Sequence, residues 1–476
     1  MGVLLANNFS ALCIVQDDIT AKHGQIMQMD AIYSQAHLTI VALSSQNSES
    51  KLPGVSQGSR SPIRAFAKVD PNYGFASIPP QLGELLDSSV YEERGWTFQE
   101  RLLSKRCLYL TDFQAYFTCS TLSNPIREDG LTEIFGLGEA DRPKWPETQN
   151  GTWTWEQGFR NYVWLLQRYT TRKLSYEKDI INAFSGLSAI LQHRCGGSFI
   201  YGLPESIFDV ALLWFPGDNS LVRRQNEITG QTFPSWSWAA WKGKVSYLEY
   251  YNLSDNTEDY LGYLNFVIHP EISSFHVEDT SGYRLIDRSA MVNFSGQERP
   301  RSTLNFAQDS NQSRSYTSRP ILHFQTYSAT PIGLSLRRQN FQIWVSGTVG
   351  FDLVDTESIS HGIFLGSMDW PESFCLNSDM ELILLFRNIS SPDRSGPNSL
   401  PSLTGRKPHL NTSFNPYGYR SSRREDSESE SDWKWSLFIL MLIEWTGDVA
   451  ERVGIVMMYE ADYLKLQPKV KDIQLI

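Results

Sequence analysis

The chain has 476 residues, 41% hydrophobic and 13% aromatic, with 14 Trp, 21 Tyr and 25 Phe, which is enough for packed interiors and too much for one ordinary core. A formal charge of -11, from 42 Lys plus Arg against 53 Asp plus Glu, offers no field for phosphate backbones, so nucleic acid is excluded as an expected partner. The five cysteines, Cys13, Cys107, Cys119, Cys195 and Cys375, are scattered without CxxC spacing; they are read as core thiols of a reducing compartment, with no metal expected.

The start, MGVLLANNFSALC, lacks a basic segment and a long apolar run, so it is not a secretory signal. ALCIV (11–15) is continuously apolar and reads as a strand buried on both faces. QDD follows, and then Ile26, Met29, Ile32, Tyr33 and Ala36 fall at helical spacing. LTIVAL (38–43) is a second apolar strand, and the three together make a parallel crossover unit. A parallel sheet needs further strands, and the dozen residues upstream offer none. The chain is therefore expected to begin inside a larger domain; the alternative is that ALCIV is the edge of a small sheet.

After the loop LPGVSQGSRSP, ERGWTFQERLLS places Trp96, Glu100 and Leu103 on one helix face. RCLYLT and AYFTC then read as paired strands. From Trp155 the period is helical again, with Phe159, Tyr162, Val163, Leu166 and Tyr169 in one stripe, and INAFSGLSAIL as a later buried helix. Beyond Pro216 short strands alternate with polar loops: PSWSWAAW, GKVSYLEYY, RPILHFQTYS, NFQIWVSGTVGF, MELILLF, WSLFILMLIEW and ERVGIVMMY. The longest apolar run, LFILMLI (437–443), is too short to span a membrane, and a cytoplasmic location follows, with sequons such as those at Asn252 and Asn293 unused. The expected organisation is 1–122, an α/β parallel-sheet region; 123–215, helical; and 216–476, β-rich, with disordered insertions at 295–320 and 388–432.

Three stretches suggest chemistry. Ligands gather beyond the carboxyl ends of strands in open α/β sheets, which favours Gln16, Asp17 and Asp18, although an Asp there also serves as a helix cap. Glu100 sits on an apolar face near Arg94 and Arg101 in sequence. It is either a carboxyl with a tuned pKa, as cleavage of a glycosidic bond requires, or half of an ion pair that anchors the helix. Trp236, Trp238 and Trp241 read as strand packing or as an aromatic platform. No zinc spacing, P-loop, GxGxxG or GxSxG elbow is present.

ALCIVQDD, then QIMQMDAIYSQAHLTIVAL with LPGVS, then RGWTFQERLLSKRCLYLT, resemble successive motifs of the fungal heterokaryon incompatibility (HET) domain. YTTRKLSYEKDIINAFSGLSAI, LPESIFDVALLW, FPSWSWAAWKGKV and IEWTGDVAERVGIVMM resemble what commonly follows it. The family's upstream strand and Tyr-x-Trp-Gly motif are missing, and Ser10 stands where WIDALCI would place Asp, so the resemblance implies a HET domain lacking its front. It also implies non-self recognition between fungal cells, with the domain as cell-death effector or assembly module. Partners would be a second copy or another incompatibility protein. A distant likeness of the family to the Toll/interleukin receptor (TIR) fold implies a truncated TIR-like, Rossmann-like sheet and, by analogy, NAD glycohydrolase activity. In that case Glu100, Asp17 and Asp18 are the catalytic candidates and Gln16, Arg94 and Trp96 the binding candidates, with NAD as substrate and no resident cofactor; the remaining alternative is a catalytically inactive relic.

Overall fold

A computed structural model describes residues 3–5, 28–47, 49–55, 57–60, 66–70, 73–76, 78–133, 155–195, 197–217, 221–224, 233–247, 266–288, 319–342, 349–366, 373–390 and 437–476. The chain divides into two compact units, Met1–Gly202 and Leu203–Ile476.

In the first unit, β1 (Val3–Leu5), α1 (Met29–Gln35) and β2 (Leu38–Ala42) are followed by a small hairpin, β3 (Phe66–Lys68) and β4 (Gly74–Ala76). Three short helices come next, α2 (Leu82–Asp87), α3 (Val90–Glu93) and α4 (Gly95–Leu103), then β5 (Arg106–Leu110), β6 (Ala115–Cys119) and β7 (Ile126–Arg127). The sheet order is β1-β2-β5-β6-β7; the first three strands run parallel and the last three antiparallel. The sheet is therefore mixed rather than parallel throughout. The β5–β6 turn is made by Thr111, whose hydroxyl accepts from Phe113 N at 3.2 Å and Gln114 N at 3.1 Å and donates to Gln114 O at 2.6 Å. The expected hairpin is thus present. Val41, Leu43, Leu82, Leu86, Tyr91, Cys107, Tyr109 and Tyr116 form the core beneath it.

One expectation is corrected at the start of this unit. A strand does precede the crossover: Val3–Leu5 pairs parallel with β2, Val3 opposite Leu38. Three residues were too short to register as a periodic signal. Ala11–Val15, the strand expected in that region, lies outside the described residues. In α1 the spacing places Met29, Tyr33 and Ala36 in the core as expected, while Ile32 on its flank is exposed; Ile26 is outside the described residues.

The helical segment is present as α5 (Trp155–Tyr169) and α6 (Ser185–Cys195), joined through two 3-10 turns at Glu177–Ile180 and Asn182–Phe184. Tyr162, Val163, Leu166 and Tyr169 of the predicted stripe are buried; Phe159 is only partly so. α6 packs against α1, α4 and α5, so these helices share one interior with the sheet's covering helices.

The second unit opens with α7 (Phe208–Ala211) and is built on a twelve-stranded sheet: β8 (Phe266–Pro270), β9 (His276–Asp279), β10 (Gly282–Leu285), β11 (Ile321–Ala329), β12 (Ser335–Gln342), β13 (Val349–Val354), β14 (Ser360–Gly366), β15 (Ser373–Cys375), β16 (Met380–Ser390), β17 (Leu437–Thr446), β18 (Val449–Tyr459) and β19 (Lys469–Leu475), with helix α8 (Glu460–Lys465) before the last strand. Order runs β10-β9-β11-β16-β17-β18-β14-β13-β12-β15, with β8 on β16. β19 pairs with both β11 and β18, so β11, β16, β17, β18 and β19 form a closed ring. Leu382, Leu384, Phe438, Leu440, Leu442, Val456, Met458 and Tyr463 form one hydrophobic core with Leu336, Phe351, Leu353 and Phe364 of β12–β14.

The predicted β-rich character is therefore observed, with two adjustments. Strand β16 runs to Ser390, so 388–390 belong to the sheet and not to the insertion expected at 388–432; of that insertion the remainder lies outside the described residues. Of the insertion expected at 295–320, only Arg319 and Pro320 are described, as the lead into β11. PSWSWAAW is not an alternating strand. Ser235–Ser237 form a turn, Ser237 accepts from Ala239 N at 3.0 Å, and Trp238–Ala240 is a 3-10 turn that ends in a two-residue ladder at Trp241–Lys242. Trp236 and Trp238 are fully buried, so neither is a platform for a sugar or base.

Candidate functional site

Glu100 lies on α4, whose first turn is held from two sides. Ser89 caps α3, accepting from Glu92 N at 3.1 Å, and Thr97 donates to the carbonyl of Arg94 at 2.8 Å. From the helical segment, Lys173 N donates to Glu93 O at 2.6 Å and Gly95 N to Lys173 O at 2.8 Å, a single rung joining two distant parts of the sequence. A Cβ on Gly95 would stand 2.5 Å from Leu174 Cδ2, so a larger residue requires the Leu174 side chain to move.

Three charged groups secure the same corner. Glu92 Oε1 accepts from Arg101 Nη2 at 3.0 Å and from Arg172 Nη2, and Arg172 Nη1 donates to the carbonyl of Arg94 at 3.2 Å. The Arg172 guanidinium also sits 4.4 Å from the centre of the Phe98 ring. Burial lowers its pKa to about 10, with Glu92 opposing that shift. Gln99 Oε1 accepts from Gly186 N at 3.2 Å, tying α4 to α6.

Glu100 is left with a different environment. It is buried, and among the described residues no cation stands within ion-pair distance of it. The helix-anchoring ion pair considered for it belongs instead to Glu92, which takes Arg101. The Tyr33 hydroxyl of α1 donates to the Glu100 carboxyl, and its second oxygen, Oε2, finds no partner among the described residues. Burial raises the Glu100 pKa to about 7, against smaller opposing effects of the Arg94 charge and the Tyr33 hydrogen bond. The same contact and burial push the Tyr33 phenol well above its ordinary value. A carboxyl that is half ionised near neutrality can give or take a proton, or offer negative charge to a developing cation.

The other predicted residues divide. Arg94 is exposed at the N-terminus of α4 and acts on Glu100 through its charge; Trp96 is half-buried one turn before Glu100. Gln16, Asp17 and Asp18 lie outside the described residues. Tyr33 was missed because it fell on the apolar stripe of α1. A buried phenol needs a partner for its hydroxyl, and that requirement was the available signal. The Glu92, Arg101 and Arg172 cluster was missed because Arg172 is 80 residues from Glu92. Among the described residues there is no group of three His, Cys, Asp or Glu side chains able to hold a metal ion.

The family model described as heterokaryon incompatibility protein (HET) matches residues 9–100. This stretch is similar to the HET family. It spans QDD, α1, β2 and the LPGVS loop, and its last matched residue is Glu100 itself. Every candidate residue, Gln16, Asp17, Asp18, Arg94, Trp96 and Glu100, therefore falls within it. The match covers 92 residues, and the partners of α4 at Tyr169 and Gly186 lie beyond it. No curated protein and no solved structure matches the chain. Among the described residues no helix is long and apolar enough to cross a membrane.

Proposed function

We propose that this heterokaryon-incompatibility-type protein acts in non-self recognition in the fungal cytoplasm, with its HET segment as the cell-death effector. The observation that carries the proposal is Glu100: a buried carboxyl with a free oxygen and a pKa near 7, at the end of the family match. A residue with a purely structural role gains little from such a placement, since an unpaired buried carboxyl costs stability. Regulated expression of the full chain in a filamentous fungal host tests it. Growth arrest by the wild type and normal growth with an equal level of E100Q is the expected result; arrest by both removes Glu100 from the effector role.

A TIR-like sheet and NAD glycohydrolase activity are the chemical form of the same proposal. Water would add to the anomeric carbon of the nicotinamide riboside as the carbon–nitrogen bond breaks, releasing nicotinamide, ADP-ribose and a proton. The carboxylate of Glu100 would stabilise the oxocarbenium-like centre, with Asp17 and Asp18 as further candidates, while Gln16, Arg94 and Trp96 would hold the dinucleotide. Partial ionisation of Glu100 near pH 7 supports this reading. Nicotinamide release by the purified chain, lost in E100Q, is expected. Killing without nicotinamide release, accompanied by concentration-dependent light scattering, would replace the chemistry with assembly of like copies or with another incompatibility protein as partner.

A further inference from the structure

The β-rich unit contains a second buried charge without an opposite one. Arg452 of β18 is 3% exposed, and its guanidinium lies 3.8 Å from the centre of the Trp214 ring. Nη1 donates to Leu212 O at 2.6 Å and Nη2 to Trp214 O, two carbonyls just past the end of α7. These carbonyls supply partial charge only. Among the described residues no carboxylate lies within ion-pair distance of Arg452, so the desolvation of its guanidinium is offset only by these carbonyls and the Trp214 ring.

Beside it opens a shallow cleft lined by Trp214, Phe215, Leu221, Trp241 and Arg452, with room for about one water-sized sphere. Its two indoles are fixed: Trp214 Nε1 donates to Trp236 O at 2.9 Å and Trp241 Nε1 to Ser235 O at 3.0 Å. The Arg223 guanidinium stands 5.0 Å from the centre of the Trp241 ring. Arg223 and Arg319 both stand near Glu451, at the long separations of 3.8 and 4.0 Å. Among the described residues, Arg452 and Arg223 therefore bring positive charge beside a small, apolar, aromatic-walled opening.

We infer that this cleft is a binding site for a small monovalent anion, either a halide or the carboxylate group of an organic ligand, with Arg452 as its principal counter-charge and Arg223 at its rim. Burial lowers the Arg452 pKa to about 9, which leaves the guanidinium charged at neutral pH and ready for such a partner. An anion there would pair with Arg452, and the indole walls would exclude larger hydrated ions.

The test uses the full chain at constant ionic strength, exchanging sodium isethionate, a bulky sulfonate, for sodium chloride or sodium formate while tryptophan fluorescence and thermal midpoint are followed. A saturable fluorescence change and a rising midpoint with chloride or formate, but not isethionate, are expected. The stronger of the two responses identifies halide or carboxylate as the natural chemistry. R452M should abolish the response, and R223Q, at a partly exposed position, should raise the half-saturating concentration several-fold. Identical behaviour in all three salts overturns the inference, as does a response that persists in R452M. If R452M does not fold, an unchanged half-saturation point in R223Q overturns it instead.

Discussion

At the scale of single residues, Glu100 makes stability depend on pH in an unusual direction. Its pKa is about 7 in the folded chain against an ordinary 4.5, so folding takes up a proton between these values. The stabilisation is fully present below pH 4.5 and is lost as pH rises through 7, amounting to on the order of 2 kcal/mol between pH 5 and 8. Urea unfolding across that range should show the wild type losing stability relative to E100Q, which cannot ionise. Parallel pH profiles for the two would mean that Glu100 titrates as an exposed carboxyl. Replacing Tyr33 with Phe removes the donor that favours the ionised form and should move the loss to still higher pH. The sequence placed this acid on one helix face with Trp96 and Leu103 and left two roles open, a tuned carboxyl or half of an anchoring ion pair. It was silent about Tyr33, which helical spacing assigns to the core whether or not its hydroxyl has work to do.

At the scale of elements, α4 and the β5–β6 hairpin were legible from periodicity because the interactions that form them are local. The dock of α4 on Lys173 and Leu174 was not, since nothing in RGW or TRKL announces a partner some 80 residues away. Gly95 carries that dock. G95A brings a methyl into Leu174, and despite the better helix propensity of Ala it should destabilise the chain by about 1–2 kcal/mol. A double-mutant cycle with L174A should recover much of the loss; additive effects would show that Gly95 matters for another reason. PSWSWAAW illustrates the opposite failure. Tryptophans two apart imitate the period of a strand, but Pro234 and the Ser237 cap turn the backbone before a ladder can extend. Both rings then enter the core together instead of lying on one face.

At the scale of the whole molecule, residue patterning suggested an α/β, a helical and a β-rich region, and the structure has a mixed α/β unit, which includes the helices, and a β-rich one. What patterning could not convey is how much of the helical segment supports the stretch similar to the HET family. Phe98 meets Tyr169 at 5.9 Å between ring centres, and Tyr169 meets Phe184 at 4.9 Å, so the helix bearing Glu100 rests on aromatic mass contributed after residue 155. Residues 1–202 expressed alone should be monomeric and melt cooperatively, whereas 1–122 should aggregate on size-exclusion chromatography. A well-behaved 1–122 fragment would show that the sheet and its short helices are sufficient.

The ring in the β-rich unit bears on how the chain is made. Gln325 Nε2 of β11 meets Asp472 Oδ1 of β19 across 147 positions of sequence. While a ribosome is still producing residues 330–468, β11 has been delivered and the strand that will cover its edge has not. For those seconds the nascent chain offers an open row of backbone donors and acceptors beside strongly apolar strands such as LFILMLI. Translation speed through this interval, and the chaperones present during it, thus become determinants of yield that no property of the finished ring reveals.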